Sequence, residues 1–270
     1  MRNISLVILF FLSYSCTSMS QERRDSVINT SDSISCQKDS IITSRLTLLF
    51  AGDLMQHQAQ INAARTSTGY DYSDCFKFVK EEINRADIAI ANLEVTLGGK
   101  PYRGYPAFSA PDEYLFAIRD AGFDVLITAN NHCLDKGKKG LERTLLMLDS
   151  LQIPHAGTYV NTESREQQYP LLLEKNGFRI ALLNYTYGTN GIKVISPNVV
   201  NYIDKAVMAQ DIEAARAQHP DALIACMHWG DEYQSLPNKE QKNLTDWLLQ
   251  QGVTHIIGSH PHVVQPMELR

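Results

Sequence analysis

Leu46-Thr47-Leu48-Leu49-Phe50-Ala51-Gly52-Asp53 is an almost unbroken apolar run of strand length that closes on a carboxylate. Strands covered on both faces read as continuous hydrophobic runs, so this stretch predicts a buried strand in a layered α/β fold. The same pattern recurs along the chain. Ile88 to Ala91 leads into Asn92-Leu93-Glu94, and Val125 to Thr128 into Asn130-Asn131-His132. Ala222 to Cys226 leads into Met227-His228-Trp229-Gly230, and His255 to Ile257 into Gly258-Ser259-His260-Pro261-His262. Open α/β sheets carry their sites at such strand ends.

Between these runs the spacing turns helical. Phe76 to Ala86, Pro111 to Ala121, Leu141 to Leu151, Ala206 to Gln218 and Lys239 to Gln251 read as helices, and the stripe Leu141, Leu145, Leu148 and Leu151 is ordinary core packing. From Leu171 to Tyr187 two strand-like runs flank Glu174-Lys175-Asn176-Gly177, and Asn-Gly in that position signals a hairpin. A hairpin among parallel strands implies mixed sheets. The expected architecture is an α/β sandwich with helices outside.

Oxygen donors come early in the chain and imidazoles late. A mixed Asp/Glu/Asn/His set suits a divalent transition metal such as Mn, Fe or Zn, as one or two ions, better than calcium or a structural zinc. In Ser259-His260-Pro261-His262 the residue before proline is expected to be extended, which would put both rings on one face. Cys133 and Cys226 adjoin the histidine segments but have no zinc spacing, and free cysteine commonly packs as a small hydrophobe.

The order Gly-Asp, Asn-x-Glu, Asn-Asn-His-x-x-Asp, His-Trp-Gly-x-Glu and Ser-His-Pro-His, from about Leu48 to Arg270, resembles the capsule-biosynthesis CapA (poly-γ-glutamate) family. The resemblance implies a four-layer α/β/β/α sandwich like that of the calcineurin-type metallophosphoesterases. It also implies Asp53, Glu94, Asn131, His228, His260 and His262 as metal ligands, with His132 as the catalytic proton donor. One imidazole of the wider superfamily is absent, because Leu54-Met55 follows Asp53 where an Asp-x-His motif is usual. His57 is either its substitute or a plain helix-surface histidine. Asn92 and Asn130 fall beside the ligands, Asp135 either orients an imidazole or caps a helix, and Glu232 with Tyr233 either meets substrate or starts a solvated turn. Family members continue past Arg270 with further strands, including a Ser-Leu-Gly-Asn segment, so the chain reads as truncated at its C-terminal side.

Composition bounds the remainder. With 270 residues and 44% hydrophobic content the chain can bury a full core, and residues 45–270 are read as one domain. A net charge of −5 argues against nucleic acid, and the one basic cluster, Lys136, Lys138 and Lys139, is either a solvated helix start or a contact for an anionic substrate. The loop Gly98 to Ala110, with Lys100, Tyr102, Arg103 and Tyr105, is either a surface connection or substrate-facing.

Two functional classes follow. One is a metal-dependent hydrolase of the cell envelope, in which an ion lowers the pKa of bound water from near 16 to about 7 and an acid protonates the leaving oxygen; its substrate is a phosphoester or a linkage in an anionic polymer. The other is a polymer-handling protein that binds such a polymer during export or attachment and breaks no bond. The oligomeric state is not legible.

Arg2 and the apolar stretch Ile4 to Leu12 are too short to span a bilayer but suit an export signal, and Leu12-Ser13-Tyr14-Ser15-Cys16 resembles a bacterial lipoprotein cleavage site. Residues 17–44, rich in Ser, Thr, Asp and Gln, read as a linker. The expected address is an exported, lipid-anchored domain. Cys16→Ser is therefore expected to move the protein from the membrane fraction to the soluble one in fractionated cells; unchanged fractionation would refute the anchor.

Overall fold

In the computed structural model the described residues are 44–270, together with the backbone of residues 3–8. Cys16, Cys36 and the rest of 9–43, on which most of the signal and linker readings fall, lie outside them. The first sheet has the order β1 (Asn3–Ile8), β2 (Arg45–Leu54), β3 (Ile88–Leu93), β4 (Val125–Ile127) and β5 (His155–Ala156), and every pairing in it is parallel. A small antiparallel ribbon joins β6 (Thr158–Tyr159) to β9 (Val199–Val200). The second sheet has the order β11 (His255–Ser259), β10 (Ala222–His228), β8 (Phe178–Thr186) and β7 (Leu171–Lys175); it is the mixed one, with β7 antiparallel to β8. Lys175 pairs with Phe178, so Asn176 and Gly177 alone make the turn, both at positive φ (52° and 78°). Two consecutive left-handed residues match the twist of the flanking strands, which is why Asn-Gly stands there.

The layers follow from the pleat. Leu46, Leu48 and Phe50 of β2, Ile88 and Ile90 of β3, and Val125 and Ile127 of β4 pack against Ile180 and Leu182 of β8 and Ala222, Ile224 and Cys226 of β10, forming the core between the sheets. The alternate residues face outward. Leu49, Ala89, Ala91 and Leu126 meet Tyr114, Leu115 and Ile118 of α3 (Asp112–Ala121) and Leu148 of α4 (Gly137–Ser150). Leu183, Leu223 and Ala225 meet Met208 and Ile212 of α6 (Lys205–Ala217) and Leu244 and Leu248 of α7 (Lys239–Gln250). The result is the four-layer α/β/β/α sandwich that the resemblance implies.

Four expectations shift in detail. The Phe76–Ala86 helix contracts to α2 (Lys80–Ile83), because Phe76 turns onto the rings of Tyr114 and Phe123 while Phe78 and Val79 face solvent, so no single buried stripe forms. Helix α4 begins four residues before Leu141. Two short helices, α1 (Gln58–Ala63) and α5 (Thr162–Gln168), join the expected set, and β5, β6 and β9 are two-residue strands, too short for any periodicity to announce. Within the stretch read from sequence as an export signal, Asn3–Ile8 runs parallel to β2 as an edge strand.

Pleat parity also aims the strand ends. Asn92 and Glu94 share the parity of Ile88 and Ile90, and His228 shares that of Ile224 and Cys226, so all three point into the space between the sheets. Asp53 has the wrong parity relative to Phe50. A bulge corrects it: Phe50 pairs with Ile90 but Asp53 with Asn92, so β2 spends one extra residue and the side chain flips to the inner side.

Asn184 on β8 ties the sheets together at the same level. Its Oδ1 accepts from Ala129 N (2.7 Å) and Thr128 N (3.2 Å), and its Nδ2 donates to the Cys226 carbonyl (3.1 Å). Gly157 makes room for this crosslink. A Cβ there would overlap Asn184 Oδ1 and Ala129 N, and its φ of +120° suits glycine alone. Gly157→Ala is expected to destabilise the domain by at least about 1–3 kcal/mol from the backbone strain alone, read as a lowered midpoint in chemical denaturation. A wild-type midpoint would show that Asn184 and residues 128–129 have another arrangement available.

Candidate metal centre

At the C-terminal ends of β2, β3, β4, β10 and β11 the inter-sheet core gives way to a polar cluster. Ligand atoms of Asp53, Glu94 and His228 lie within 4.8 Å of one another, as do those of Glu94, His260 and His262, so two triads share Glu94. Asp53 Oδ2 meets His262 Nδ1 at 3.1 Å and accepts from the His260 backbone N–H at 3.2 Å. Asn92 is the hub: its Nδ2 donates to Asp53 Oδ1 (2.8 Å) and reaches Glu94 Oε2 (3.2 Å) and His228 Nδ1 (3.3 Å), while its Oδ1 accepts from Asn130 Nδ2 (3.0 Å). His228 Nε2 faces Asn131 Oδ1 at 2.8 Å, and its Nδ1 lies 3.0 Å from Ser259 Oγ.

His260 corrects the sequence reading. It is not extended: its φ is +95°, and that of His262 is +55°. Both rings still face the cluster, with centroids 6.0 Å apart, because the chain turns there and the His260 N–H is anchored to Asp53. A left-handed backbone at a bulky residue is strained and persists only where surrounding contacts enforce it.

His132 stands beside the cluster. Its Nδ1 lies 2.8 Å from Asp135 Oδ2, which also accepts from Phe108 N at 2.7 Å, and the Phe108 ring packs edge-on against the imidazole at 4.7 Å. Asp135 thus orients an imidazole, and the cap position of α4 belongs to Lys136. The loop ending at Ala110 is more than a surface connection, since Phe108 is buried and braces this pair through its N–H and its ring. His57 is elsewhere. It precedes α1, exposed, with its ring edge-on to Phe108 at 5.1 Å, and belongs to neither triad. Glu232 is exposed and acts on the site through charge, whereas Lys138 pairs with Glu142 on the helix surface. Cys133 and Cys226 are buried, and burial pushes the Cys133 thiol up to about 12, so both remain thiols packed in the core.

Residues 47–270 match the family model described as "Bacterial capsule synthesis protein PGA_cap". The chain belongs to that family. It is 29% identical over 234 residues to "PGA biosynthesis protein CapA" of Bacillus subtilis (strain 168), covering 83% of this chain and 59% of that protein. It is 26% identical over 241 residues to "Capsule biosynthesis protein CapA" of Bacillus anthracis, covering 83% and 56%. The chain therefore spans somewhat more than half the length of these relatives. Among solved structures, the NAD nucleotidase of Haemophilus influenzae overlays with a TM-score of 0.47 at 18% identity, covering 72% of this chain and 37% of that one. A putative 5′-nucleotidase of Staphylococcus aureus gives 0.49 at 13% identity, covering 73% and 41%.

Burial and the close approach of the donors to one another set the electrostatics of this PGA_cap centre. Burial drives the Glu94 carboxyl well above its ordinary range, and the neighbouring Asp53 carboxylate adds to it. Asp53 goes the other way: burial opposes its charge, but the His262 hydrogen bond, the charge of His228 and the Asn92 amide together hold it far below the usual range. Burial pushes His228 down to about 3 against the pull of Asp53, and lowers His260 as well. The hydrogen bond that His262 donates to Asp53 raises the imidazole despite burial. Within this cluster two buried atoms, Glu94 Oε1 and His260 Nδ1, have no hydrogen-bond partner, although His228 Nε2 stands 3.6 Å from the former.

Tyr187 and Asn190 were not singled out from sequence. Tyr187 lies against His260 (4.7 Å) and parallel to His228 (6.3 Å), and the loop it opens brings Asn190 onto Asn131 and His132. The Gly188, Asn190-Gly191 turn chemistry marks a loop but not its target.

The Asp53–His262 pair makes a signed prediction. His262, raised above its ordinary 6.5, contributes stability fully present below that pH and lost as pH rises through the raised value. Asp53, depressed below 3.8, contributes stability present above that pH and lost as pH falls. In metal-free protein Asp53→Asn is expected to lower the His262 midpoint in an NMR titration of the ring protons. An unchanged midpoint would exclude Asp53 as its partner.

Proposed function

We propose that this domain is a metal-dependent hydrolase of the cell envelope, acting on a phosphoester or on a linkage of an anionic capsular polymer of the poly-γ-glutamate type. The observation that carries the reading is the pair of orphaned atoms, Glu94 Oε1 and His260 Nδ1, buried inside a ring of further donors. Unpaired buried polar atoms cost on the order of 1–3 kcal/mol each, and a divalent cation is the group this donor set fits. Asp53, Glu94, Asn131, His228, His260 and His262 would hold it, with Asn92 fixing the orientation of three of them. When bound, the ion supplies Lewis acidity toward a phosphoryl or carbonyl oxygen and acidifies water.

The remaining work belongs to the chain. Asp135 takes the Nδ1 proton of His132 in a hydrogen bond, which fixes the ring so that Nε2 is the nitrogen available to substrate. From the edge of the donor cluster, Nε2 would give its proton to the leaving oxygen, and the Asp135 carboxylate would stabilise the cationic ring before that transfer. Phe108 shields the pair on one side, keeping the imidazole in a single orientation. Tyr187 and Tyr233, both exposed beside the histidines, would line the approach. Export and anchoring through Cys16 would place the site among envelope polymers; among the described residues no helix is long and apolar enough to cross a membrane.

The polymer-handling reading draws support from His57, which does not supply the imidazole missing after Asp53. Metal content and turnover separate the two. His132→Ala is expected to keep metal but lose at least about a hundredfold in turnover of a phosphodiester or polymer substrate, whereas His228→Ala loses metal. Full-length protein that binds metal yet turns over no phosphoester, phosphodiester or amide-linked polymer would establish the handling role instead.

A further inference from the structure

Asn131 can serve a cation only through its amide oxygen, and nothing within the amide itself decides which end faces the donor cluster. The surroundings decide it. On one side His228 Nε2 stands 2.8 Å from Asn131 Oδ1, the oxygen to which the Nε2–H tautomer of His228 donates, with Nδ1 then accepting from Asn92 Nδ2 (3.3 Å) or Ser259 Oγ (3.0 Å). On the other side Asn131 Nδ2 donates to Asn190 Oδ1 at 3.3 Å. The remaining end of Asn190, its Nδ2, lies 3.4 Å from His132 Nδ1. Asn190 thus touches both the residue that would bind the ion and the residue that would protonate the leaving group.

Its backbone suits the task. Asn190 sits at φ +49° between Thr189 and Gly191, a left-handed conformation that asparagine tolerates better than other non-glycine residues. The loop is pinned on both flanks: Thr189 Oγ1 donates to the Ile192 carbonyl at 2.7 Å and meets the Tyr202 hydroxyl at 2.8 Å, and Tyr187 N donates to the His228 carbonyl at 3.0 Å. The amide of Asn190 is therefore delivered to Asn131 by a constrained turn.

We infer that Asn190 is a positioning residue, whose side-chain oxygen fixes the Asn131 amide with its oxygen toward the donor cluster and its nitrogen away from it. This rests on the metal-centre reading given above, and it predicts that the cluster's affinity depends on a residue that donates no ligand. Outer partners of metal ligands typically contribute 10- to 100-fold in affinity.

Two variants separate positioning from backbone effects. Asn190→Gly removes the amide and keeps the left-handed backbone free of strain, and Asn190→Asp keeps an acceptor for Asn131 Nδ2 in a residue that also tolerates that conformation. With full-length protein and Mn²⁺ or Zn²⁺ in calorimetry, Asn190→Gly is expected to bind about 10- to 100-fold more weakly, and Asn190→Asp to bind at least as tightly as wild type. A second readout needs no metal: the proton on His228 Nε2, followed by NMR of the metal-free protein, is expected to lose its hydrogen-bonded shift in Asn190→Gly and keep it in Asn190→Asp. Wild-type affinity in Asn190→Gly, or an equal loss in both variants with unchanged melting temperatures, overturns the inference. If wild-type protein binds neither ion, the metal-centre reading fails by itself, and an Nε2 signal unchanged in Asn190→Gly then overturns the positioning role.

Discussion

The space between the two sheets is where every other feature of this domain is anchored. A pleated strand has only two faces, and the alternation that sends Leu46, Leu48 and Phe50 into the inter-sheet core must send the next residues of that parity to the same side. Where the strands run past the apolar layer, that side holds Asn92, Glu94 and His228, and the one-residue bulge in β2 adds Asp53. The site is thus an extension of the core. Its donors are held by the same ladders that hold the hydrophobic packing, which is why charges so expensive to bury are found there at all.

The cost is visible in opposed shifts of adjacent groups. Glu94 is driven toward its neutral form while the buried Asp53 is held as a carboxylate by His262, His228 and Asn92. One cluster cannot satisfy both acids and three imidazoles by mutual hydrogen bonding alone, and the shortfall falls on Glu94 Oε1 and His260 Nδ1. The positive φ of His260 is the backbone counterpart of this strain, kept in place by the Asp53 carboxylate on its N–H.

Around this centre the loops act as braces. Phe108, from the loop before α3, and Asp135, from the loop after β4, lock the same imidazole, and the Tyr187–Asn198 segment reaches over to Asn131. Asn184 and Gly157 hold the segment leading to Asn130 against the second sheet, so the two halves of the site are joined through the core and not only at its rim. Residues 47–270 carry this architecture as a member of the PGA_cap family, and Glu94 Oε1 and His260 Nδ1 are left without hydrogen-bond partners at its centre.

Local sequence settled much of this. Buried strands announced themselves by unbroken apolar runs, Asn176-Gly177 by the left-handed turn it alone makes comfortable, and the donor residues by their position at strand ends. The parity of Asp53 was not legible, because Ala51-Gly52 reads equally well with or without a bulge and pairing with β3 chooses between them. Nor were the left-handed His260, the two-residue strands, the departure of His57 to Phe108, or the arrival of Asn190 at Asn131. Sequence fixes preferences that depend on a residue and its near neighbours. These four depend on residues distant in the chain, whose contacts override local preference only once the two sheets have closed on each other.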